Sequence, residues 1–385
     1  MVYSDFNELK ISKLGLGMMR LPQTPEKKID FEDSTKMIDM AIKGGINYFD
    51  TAYRYHDGES EVFVGEILSK YPRESYYLAD KLPAWICKTR QEAEDIFAEQ
   101  LKRCKTDYFD FYLLHSVDEE SWPLIESFEL VDYIKGLKEQ ELVRHLGLSV
   151  HCGPELLEMI FANHSDVFEF VQIQLNYFDW DYINAKELYN IARKYNKPVI
   201  VMEPLRGGTL ANLPSERASK VLKEASEKSN MSPCSDASYG LRYLRQLEGV
   251  MIILSGMSTV QQLEDNIGIM DAQDLTETEL TAVSEAAQIL REDILVPCTG
   301  CNYCYECPSK INIPAIFKQY NESAIKSFTY IWDSLEDLYN KLGPNATSCI
   351  KCGNCEANCP QKIKITEVLQ EVHQRFSEEI AKGKK

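Results

Sequence analysis

The sequence predicts an α/β fold: a (β/α)8 TIM barrel over residues 1–290, then a smaller, mostly helical domain over residues 291–385. Three observations carry this. Short β-rich runs alternate with amphipathic helical stretches eight times before residue 290. The first such run leads into GLGMMRLP and not into a G-x-G-x-x-G that opens a helix, which weighs against a doubly wound sheet, the main structural alternative. Of twelve cysteines, eight lie between Cys298 and Cys359, beyond a composition break near Pro297.

The strand candidates are Leu14–Gly17, Tyr48–Thr51, Tyr76–Lys81, Phe109–His115, His145–Val150, Phe170–Leu175, Val199–Pro204 and Val250–Ser255. Each is short, rich in β-branched or aromatic residues, and bounded by turn or polar residues. Helical patterns fill the gaps. In Glu32–Lys43 the apolar Met37, Ile38, Ala41 and Ile42 line one face, Asp33 or Ser34 offers an N-cap, and Gly44 stops the helix. Further helices are expected over Ser60–Leu68, Arg90–Lys102, Pro123–Glu139, Pro154–Ala162, Ala185–Tyr195, Ser235–Leu247 and Val260–Met270.

The chain has 385 residues, 44% hydrophobic and 26% charged, enough to bury a large core, which excludes global disorder. Lys and Arg number 42 against 60 Asp and Glu, a net charge of -18. Such a surface repels phosphate backbones and anionic membranes, so neither nucleic acid nor membrane is an expected partner. The first residues contain no basic-then-apolar run, and stretches such as Val250–Leu254 are too short to cross a bilayer, so a cytoplasmic protein is expected. Cys87, Cys104, Cys152 and Cys234 read as small buried hydrophobes.

In a barrel of this kind the reacting groups sit at the C-terminal ends of the strands. The second strand candidate ends in FDTAYRYH, which offers Asp50, Tyr53, Tyr55 and His56; the third offers Asp80 and Lys81; the fourth offers His115. Any one of these alone reads as a satisfied structural polar group. Together they make a chemical set. A tyrosine titrates near 10, too high for easy proton exchange at neutral pH. The Lys81 ammonium would lower that value, Asp50 would hold the ammonium, and a neutral His115 could donate to a carbonyl oxygen. An acid/base Tyr55 beside such a donor suits carbonyl reduction or alcohol oxidation.

These residues resemble the aldo-keto reductase family, whose Asp, Tyr, Lys and His tetrad is matched by Asp50, Tyr55, Lys81 and His115 in the same order. The resemblance runs on through GLSVH (Gly147–His151), VQIQLN (Val171–Asn176), VMEPLRGG (Val201–Gly208) and LSGMSTVQQLEDN (Leu254–Asn266). It implies a nicotinamide cofactor, with Ser149, His151, Gln172 and Asn176 near the nicotinamide. Pro204, Leu205, Arg206 and Gly208 would border the pyrophosphate. Ser255, Gly256, Met257, Gln262, Asp265 and Asn266 would wrap the adenosine end. Many members carry Lys, Ser and Arg in that last segment to clamp the 2′-phosphate of NADP. Aligned on Asn266, those positions read Gly256, Met257 and Gln262, so no cation remains and NADP(H) preference over NAD(H) is open.

The cysteines form two runs, Cys298-x2-Cys301-x2-Cys304-x2-Cys307-Pro308 and Cys349-x2-Cys352-x2-Cys355-x3-Cys359-Pro360. The second has the bacterial ferredoxin spacing, and the first is one residue shorter. Three cysteines at this spacing hold three corners of one cubane while the fourth, before proline, reaches the other. Cys298, Cys301, Cys304 and Cys359 are thus expected on one 4Fe–4S cluster, and Cys349, Cys352, Cys355 and Cys307 on a second. Zinc held by four cysteines is the alternative, but it needs neither triplets nor Cys-Pro endings. Between the runs FKQYNESAIKSFTYIWDSLEDLYNKLG reads as helix, with Phe317, Tyr320, Phe328 and Trp332 either packing it down or forming a lid; ITEVLQEVHQRFSEEIAKGKK reads as a helix with a basic tail.

A barrel followed by two clusters resembles the iron–sulfur subfamily of aldo-keto reductases over the full length. Hydride carries two electrons and each cluster one, so coupling them calls for a flavin, a radical or an external partner such as ferredoxin or flavodoxin. No flavin motif is legible. Three readings follow: a reductase whose clusters exchange electrons with such a partner, a hydride-only enzyme with structural clusters, and a nicotinamide-independent lyase or electron-transfer protein. Substrate and oligomeric state are not legible in the sequence.

Overall fold

A computed structural model describes residues 1–229, 234–325 and 343–383. The chain divides into two compact units, Met1–Leu205 with Ala237–Leu275, and Arg206–Asp236 with Thr276–Lys385.

The first unit is the barrel. Its strands are β3 (Leu14–Gly17), β4 (Tyr48–Asp50), β5 (Tyr77–Leu82), β6 (Phe109–Val117), β7 (Val143–Val150), β8 (Phe170–Gln174), β9 (Val199–Met202) and β10 (Val250–Ser255). They pair in parallel and close in the order β10-β3-β4-β5-β6-β7-β8-β9. All eight strand candidates are present. The last two residues of the seventh, Glu203 and Pro204, lie beyond β9 because Glu203 turns left-handed (φ 54°). The register Ala79↔Phe111 and Gly147↔Phe170 packs aromatic rings inside the barrel, where a Cβ on Gly147 would lie 2.4 Å from Phe170. That contact is why a glycine sits mid-strand.

Two strands were not expected. β1 (Tyr3–Phe6) and β2 (Leu9–Ser12) form an antiparallel hairpin turned by Asn7, left-handed at φ 53°. The hairpin puts Phe6 and Ile11 into one buried cluster with Tyr48, Phe111, Phe170 and Ile252, and so plugs one end of the barrel. The helix expected over Pro123–Glu139 is two helices, Trp122–Ser127 and Leu130–Glu139, because Glu129 takes φ 50° and breaks the turn.

The second unit contains two helices that went unread in the sequence, Glu216–Lys228 and Glu277–Asp293. Ser226 Oγ donates to buried Glu279, which also closes a capping box with Thr276. The remainder of the unit packs helices Ile313–Ile325 and Ile365–Gly383 on a core of Ile316, Phe317, Ile363, Leu369 and Phe376 that includes Cys355 and Cys359. Phe317 is buried in this core and Tyr320 packs on Phe376. Phe328, Trp332 and the end of the basic tail lie outside the described residues. Of the four scattered cysteines Cys87, Cys104 and Cys152 are buried, whereas Cys234 is only half-buried. Among the described residues no helix is long and apolar enough to cross a membrane.

Candidate active site and cysteine centres

Asp50 ends β4 and Lys81 lies in β5, two paired strands, so the barrel register brings them together. Lys81 Nζ donates to Asp50 Oδ1 at 2.6 Å and to the Thr51 carbonyl at 2.8 Å, both side chains being buried. Tyr55 follows from a tight turn (Tyr55 N to Ala52 O, 3.0 Å) and is held by a strained reversal in which His56, Asp57 and Gly58 all take positive φ. Two consecutive non-glycine residues there cost about 1–3 kcal/mol each, strain of the kind that clusters at functional sites. His56 anchors the turn through the Met18 carbonyl at 3.1 Å and Gln23 at 2.8 Å. Lys81 Nζ is 5.1 Å from the Tyr55 ring centre, and the His115 ring, from β6, is 6.1 Å from it. The four tetrad candidates are therefore brought into one site.

The electrostatics depart from expectation on one point. Burial, reinforced by Asp50, Asp80 and Glu203 and opposed by Arg20, holds Tyr55 well above 10. Lys81 does not lower it, because its charge is paired with Asp50, and an ion pair acts at a distance as a weak dipole. Tyr55 thus stays a proton donor at neutral pH. Burial, then the charges of Lys81 and His151, keep His115 well below 6.5, so it is a neutral imidazole. Burial also raises Asp50, with Lys81 opposing.

Asp80 belongs to another environment. The period-two alternation of β5 turns it away from Lys81 and toward the helices, where it pairs with Glu61. Burial and the neighbouring Glu61 raise Asp80 well above 3.8, so this carboxyl pair holds a proton. Gln100 bridges Glu61 Oε1 and the Lys81 carbonyl at 3.1 and 3.0 Å, buttressing β5 from behind. Tyr53 likewise faces outward and donates to Glu99 at 2.8 Å.

Among the described residues, buried polar atoms without a partner include Asp50 Oδ2, His115 Nδ1, Ser149 Oγ and Gln172 Oε1, all on barrel strands. Ser149 and Gln172 are register partners on β7 and β8. Unpaired buried polar atoms cost about 1–3 kcal/mol each, so this end of the barrel fits a polar ligand such as an amide. Asn176 does not share that property. Its amide donates to Asp179 Oδ2 (2.7 Å) and the Glu203 carbonyl (3.0 Å) and accepts from Phe178 N and Asp179 N, so all four of its bonds stay within the protein. His151 N continues the β6 ladder to the Val117 carbonyl.

At the expected adenosine end, Asn266 donates to Ser255 Oγ at 2.8 Å, Gln262 accepts from Ser258 N, Met257 is buried, and Gly256 and Asp265 are exposed. A cation does lie here, unanticipated. A Cβ on Gly256 would meet Arg20 carbons at 3.1 Å, and Arg20 pairs with Glu203 at 3.3 Å. Pro204 and Leu205 close the barrel unit, whereas Arg206 and Gly208 open the second unit. Arg206 is buried and donates to the Pro297 carbonyl at 3.1 Å. The Trp85 ring, from the short helical turn Ala84–Ile86 after β5, packs edge-on against His115 at 5.0 Å and makes one wall of the site. Other loop aromatics are structural: Trp122 is buried against His164, and Trp180 packs on Tyr189 and Tyr243.

The cysteines surround two cavities. One is lined by Cys298, Cys301, Cys304 and Cys359, the other by Cys307, Cys349, Cys352 and Cys355. Among the described residues no three His, Cys, Asp or Glu side chains converge closely enough for a single metal ion. Four cysteines round each cavity fit the ligand number of a 4Fe–4S cluster. The backbone repeats itself around the two cavities, a feature missed in the sequence. CPSKINI (307–313) and CPQKIKI (359–365) both enter helices, and left-handed residues recur at matching offsets: Gly300 and Lys351, Asn302 and Gly353, Lys310 and Lys362. Burial raises Cys304 to about 12 and Cys355 to about 11, so without metal both stay thiols.

Residues 13–288 match the model of the Aldo/keto reductase family, and residues 297–363 match the model of a 4Fe-4S dicluster domain. The chain is 27% identical over 303 residues to the uncharacterized oxidoreductase YqkF of Bacillus subtilis, covering 72% of this chain and 93% of that protein. It is 25% identical over 325 residues to the NADH-specific methylglyoxal reductase of Escherichia coli, covering 74% and 97%. The structure of an aldo-keto reductase from Bacillus halodurans in its holo form superposes with a TM-score of 0.57 at 23% identity, covering 74% and 93%, and so shares the fold. With its barrel, its matched length and its second cysteine-rich match, this chain belongs to the aldo/keto reductase family of oxidoreductases and carries a 4Fe–4S dicluster domain after the barrel.

Proposed function

We propose that the chain is a cytoplasmic NAD(P)H-dependent carbonyl reductase in which residues 1–290 perform the reduction. Residues 291–385 carry two 4Fe–4S clusters that exchange electrons with the site or with a ferredoxin or flavodoxin. The observation that carries the reductase half is the buried Lys81–Asp50 pair beside Tyr55 and His115. The unpartnered Ser149 and Gln172 support a nicotinamide amide as ligand, and the nicotinamide, when bound, supplies hydride. His115, neutral, orients the substrate carbonyl by a hydrogen bond. Tyr55, protonated, gives its proton to the oxygen as negative charge builds there. Lys81 and Asp50 fix the turn that presents Tyr55, and Trp85 shields the His115 ring. Run backward, the same groups would oxidise an alcohol, but a tyrosine held above 10 favours reduction.

NADH is the proposed reductant. Gly256, Met257 and Gln262 supply no cation for a 2′-phosphate, and Arg20 is already paired with Glu203. The Escherichia coli relative named as NADH-specific agrees with this. The proposed ligand sets for the clusters are Cys298, Cys301, Cys304 and Cys359, and Cys307, Cys349, Cys352 and Cys355, supported by the two cavities they line.

The test of the reductase half is Tyr55→Phe assayed with NADH and small aldehydes and ketones. The expected loss in kcat is about 10²–10⁴-fold, with iron content unchanged. Unchanged carbonyl reduction in that variant would remove Tyr55 from the chemistry.

A further inference from the structure

The two cysteine cavities are built on one repeated backbone, so matching positions can be compared directly. Thr299 follows Cys298 as Ile350 follows Cys349. Thr299 is 4% exposed, because the Arg206–Gly208 turn covers it. Gly207, at φ 64°, comes so near that a Cβ would lie 1.9 Å from the Thr299 carbonyl oxygen. Ile350 is 66% exposed, the most exposed of the large hydrophobic residues described. Cys352, two residues on, is the one exposed cysteine among the described residues, while Cys301, its counterpart in the other set, is half-buried. One cavity therefore has its outer loop covered by the chain itself, and the equivalent loop of the other meets solvent.

Charge marks the open loop. Lys351 lines its cavity, Lys310 lies between two residues that line it, and Lys364, whose neighbours Ile363 and Ile365 line the other cavity, acts on Glu356 beside Cys355; all three are exposed. Residues 307–313 and 349–366 together hold four lysines (310, 351, 362 and 364) and one acid, Glu356, in a chain of net charge -18. Glu356 is itself engaged, accepting from Thr366 N and Oγ1 at 2.7 Å. Two further acids lie just outside these segments: Glu306, which accepts from Tyr305 at 3.1 Å, and Glu367, in the first turn of the helix that follows, so the lysines exceed the acids by one. An exposed apolar tip next to Lys351, in a segment where lysines exceed acids, is complementary to an acidic protein surface with a small apolar centre, and a net-acidic chain concentrates such a partner here against the repulsion it meets elsewhere.

We propose that the Ile350–Cys352 loop, with Lys310, Lys351 and Lys364, is the docking face for a small acidic one-electron carrier protein. The cavity of Cys307, Cys349, Cys352 and Cys355 is then the outer electron port, and that of Cys298, Cys301, Cys304 and Cys359 the inner one. This rests on the reading that the clusters are redox-active. Each encounter passes one electron: the reduced carrier is oxidised by one, the outer cluster is reduced by one, and no bond forms or breaks.

The test uses the anaerobic holoprotein, with photoreduced plant-type ferredoxin as the acidic carrier and dithionite as a small reductant that needs no docking. Cluster reduction by ferredoxin is expected to slow about tenfold or more in Lys351→Glu/Lys364→Glu and to lose most of its salt dependence. Dithionite reduction and iron content should stay as in the parent, and Lys220→Glu, an exposed site on the helix Glu216–Lys228, should change nothing. Lys310→Glu, outside the second cysteine run, must also slow the ferredoxin reaction, which keeps the test readable if Lys351→Glu lowers iron content. Equal ferredoxin rates in parent and variants would overturn the docking face alone. Failure of dithionite to reduce the parent protein would overturn the redox-active reading beneath it.

Discussion

In the barrel, Asp50, Lys81 and His115 reach one site from three strands, held there by the register of a closed sheet around a hydrophobic core. In the second unit, eight cysteines come from two local runs, and Cys355 and Cys359 are part of the hydrophobic core itself, with Cys298, Cys304, Cys307 and Cys349 packed against it. The first region uses a stable scaffold to hold polar groups in unfavourable burial. The second has its proposed cluster ligands in and against its core. The difference teaches where each region is fragile: the barrel site fails by losing a proton donor or an ion pair, the cysteine region by losing metal.

That contrast can be broken or sharpened experimentally. Cys349→Ser should have the largest effect, removing one cluster and about half of the bound iron, while Tyr55-dependent carbonyl reduction persists. Iron analysis beside a carbonyl assay reads both at once, and joint loss would show that the regions are not separable. Gly207→Ala comes next. Its Cβ would meet the Thr299 carbonyl at 1.9 Å, so the turn must move, at a cost of about 1–3 kcal/mol. The electron spin resonance signal of the cluster on Cys298 should shift and that of the other should not; equal shifts would contradict the separate covering of the two loops.

The smallest expected effects lie in the barrel. Burial would raise Glu169, but hydrogen bonds from His145, Lys138 and Leu146 N together hold it at about 2. A carboxyl depressed in the folded state stabilises above its unfolded value near 4.5, and that stability is lost as pH falls toward 2. Glu169→Gln should therefore lower barrel stability by about 1 kcal/mol at neutral pH and flatten the acid limb of a denaturation curve. The carbonyl reduction itself should be flat between pH 6.5 and 10, since His115 is neutral and Tyr55 protonated throughout that range. A pronounced bell in that window would mean that another group titrates in catalysis.

Much of this was legible in the sequence, for reasons that differ by region. Cysteine spacing is local, so the grouping of Cys359 with the first triplet and of Cys307 with the second could be read from two strings, and the two cavities are lined accordingly. Tyr55, Lys81, Asp50 and His115 were legible because barrel strands put their ends on one rim. What escaped depended on which side chains the fold brings into contact, near or far in sequence. Arg20 meets Glu203 across 183 residues. Asn176 is turned inward by Asp179 and Glu203. The hairpin of β1 and β2 is two four-residue strands, too short to show a pattern, and its role as a plug appears only once Phe6 meets Phe111 and Phe170. The fate of Tyr55 was misjudged because the sequence gives the Lys81–Asp50 pair but not the depth of burial, which with Asp50, Asp80 and Glu203 raises the phenol.

The central claim is that a nicotinamide-dependent reductase and a pair of iron–sulfur clusters exchange electrons within one chain. It is tested most directly by adding NADH to the anaerobic holoprotein and following cluster absorbance with the electron spin resonance spectrum. The account predicts bleaching and a reduced-cluster signal with NADH, and a weaker response with NADPH. NADH bound tightly and oxidised by carbonyl substrate, with clusters that only dithionite reduces, would contradict it and leave a hydride enzyme with structural clusters.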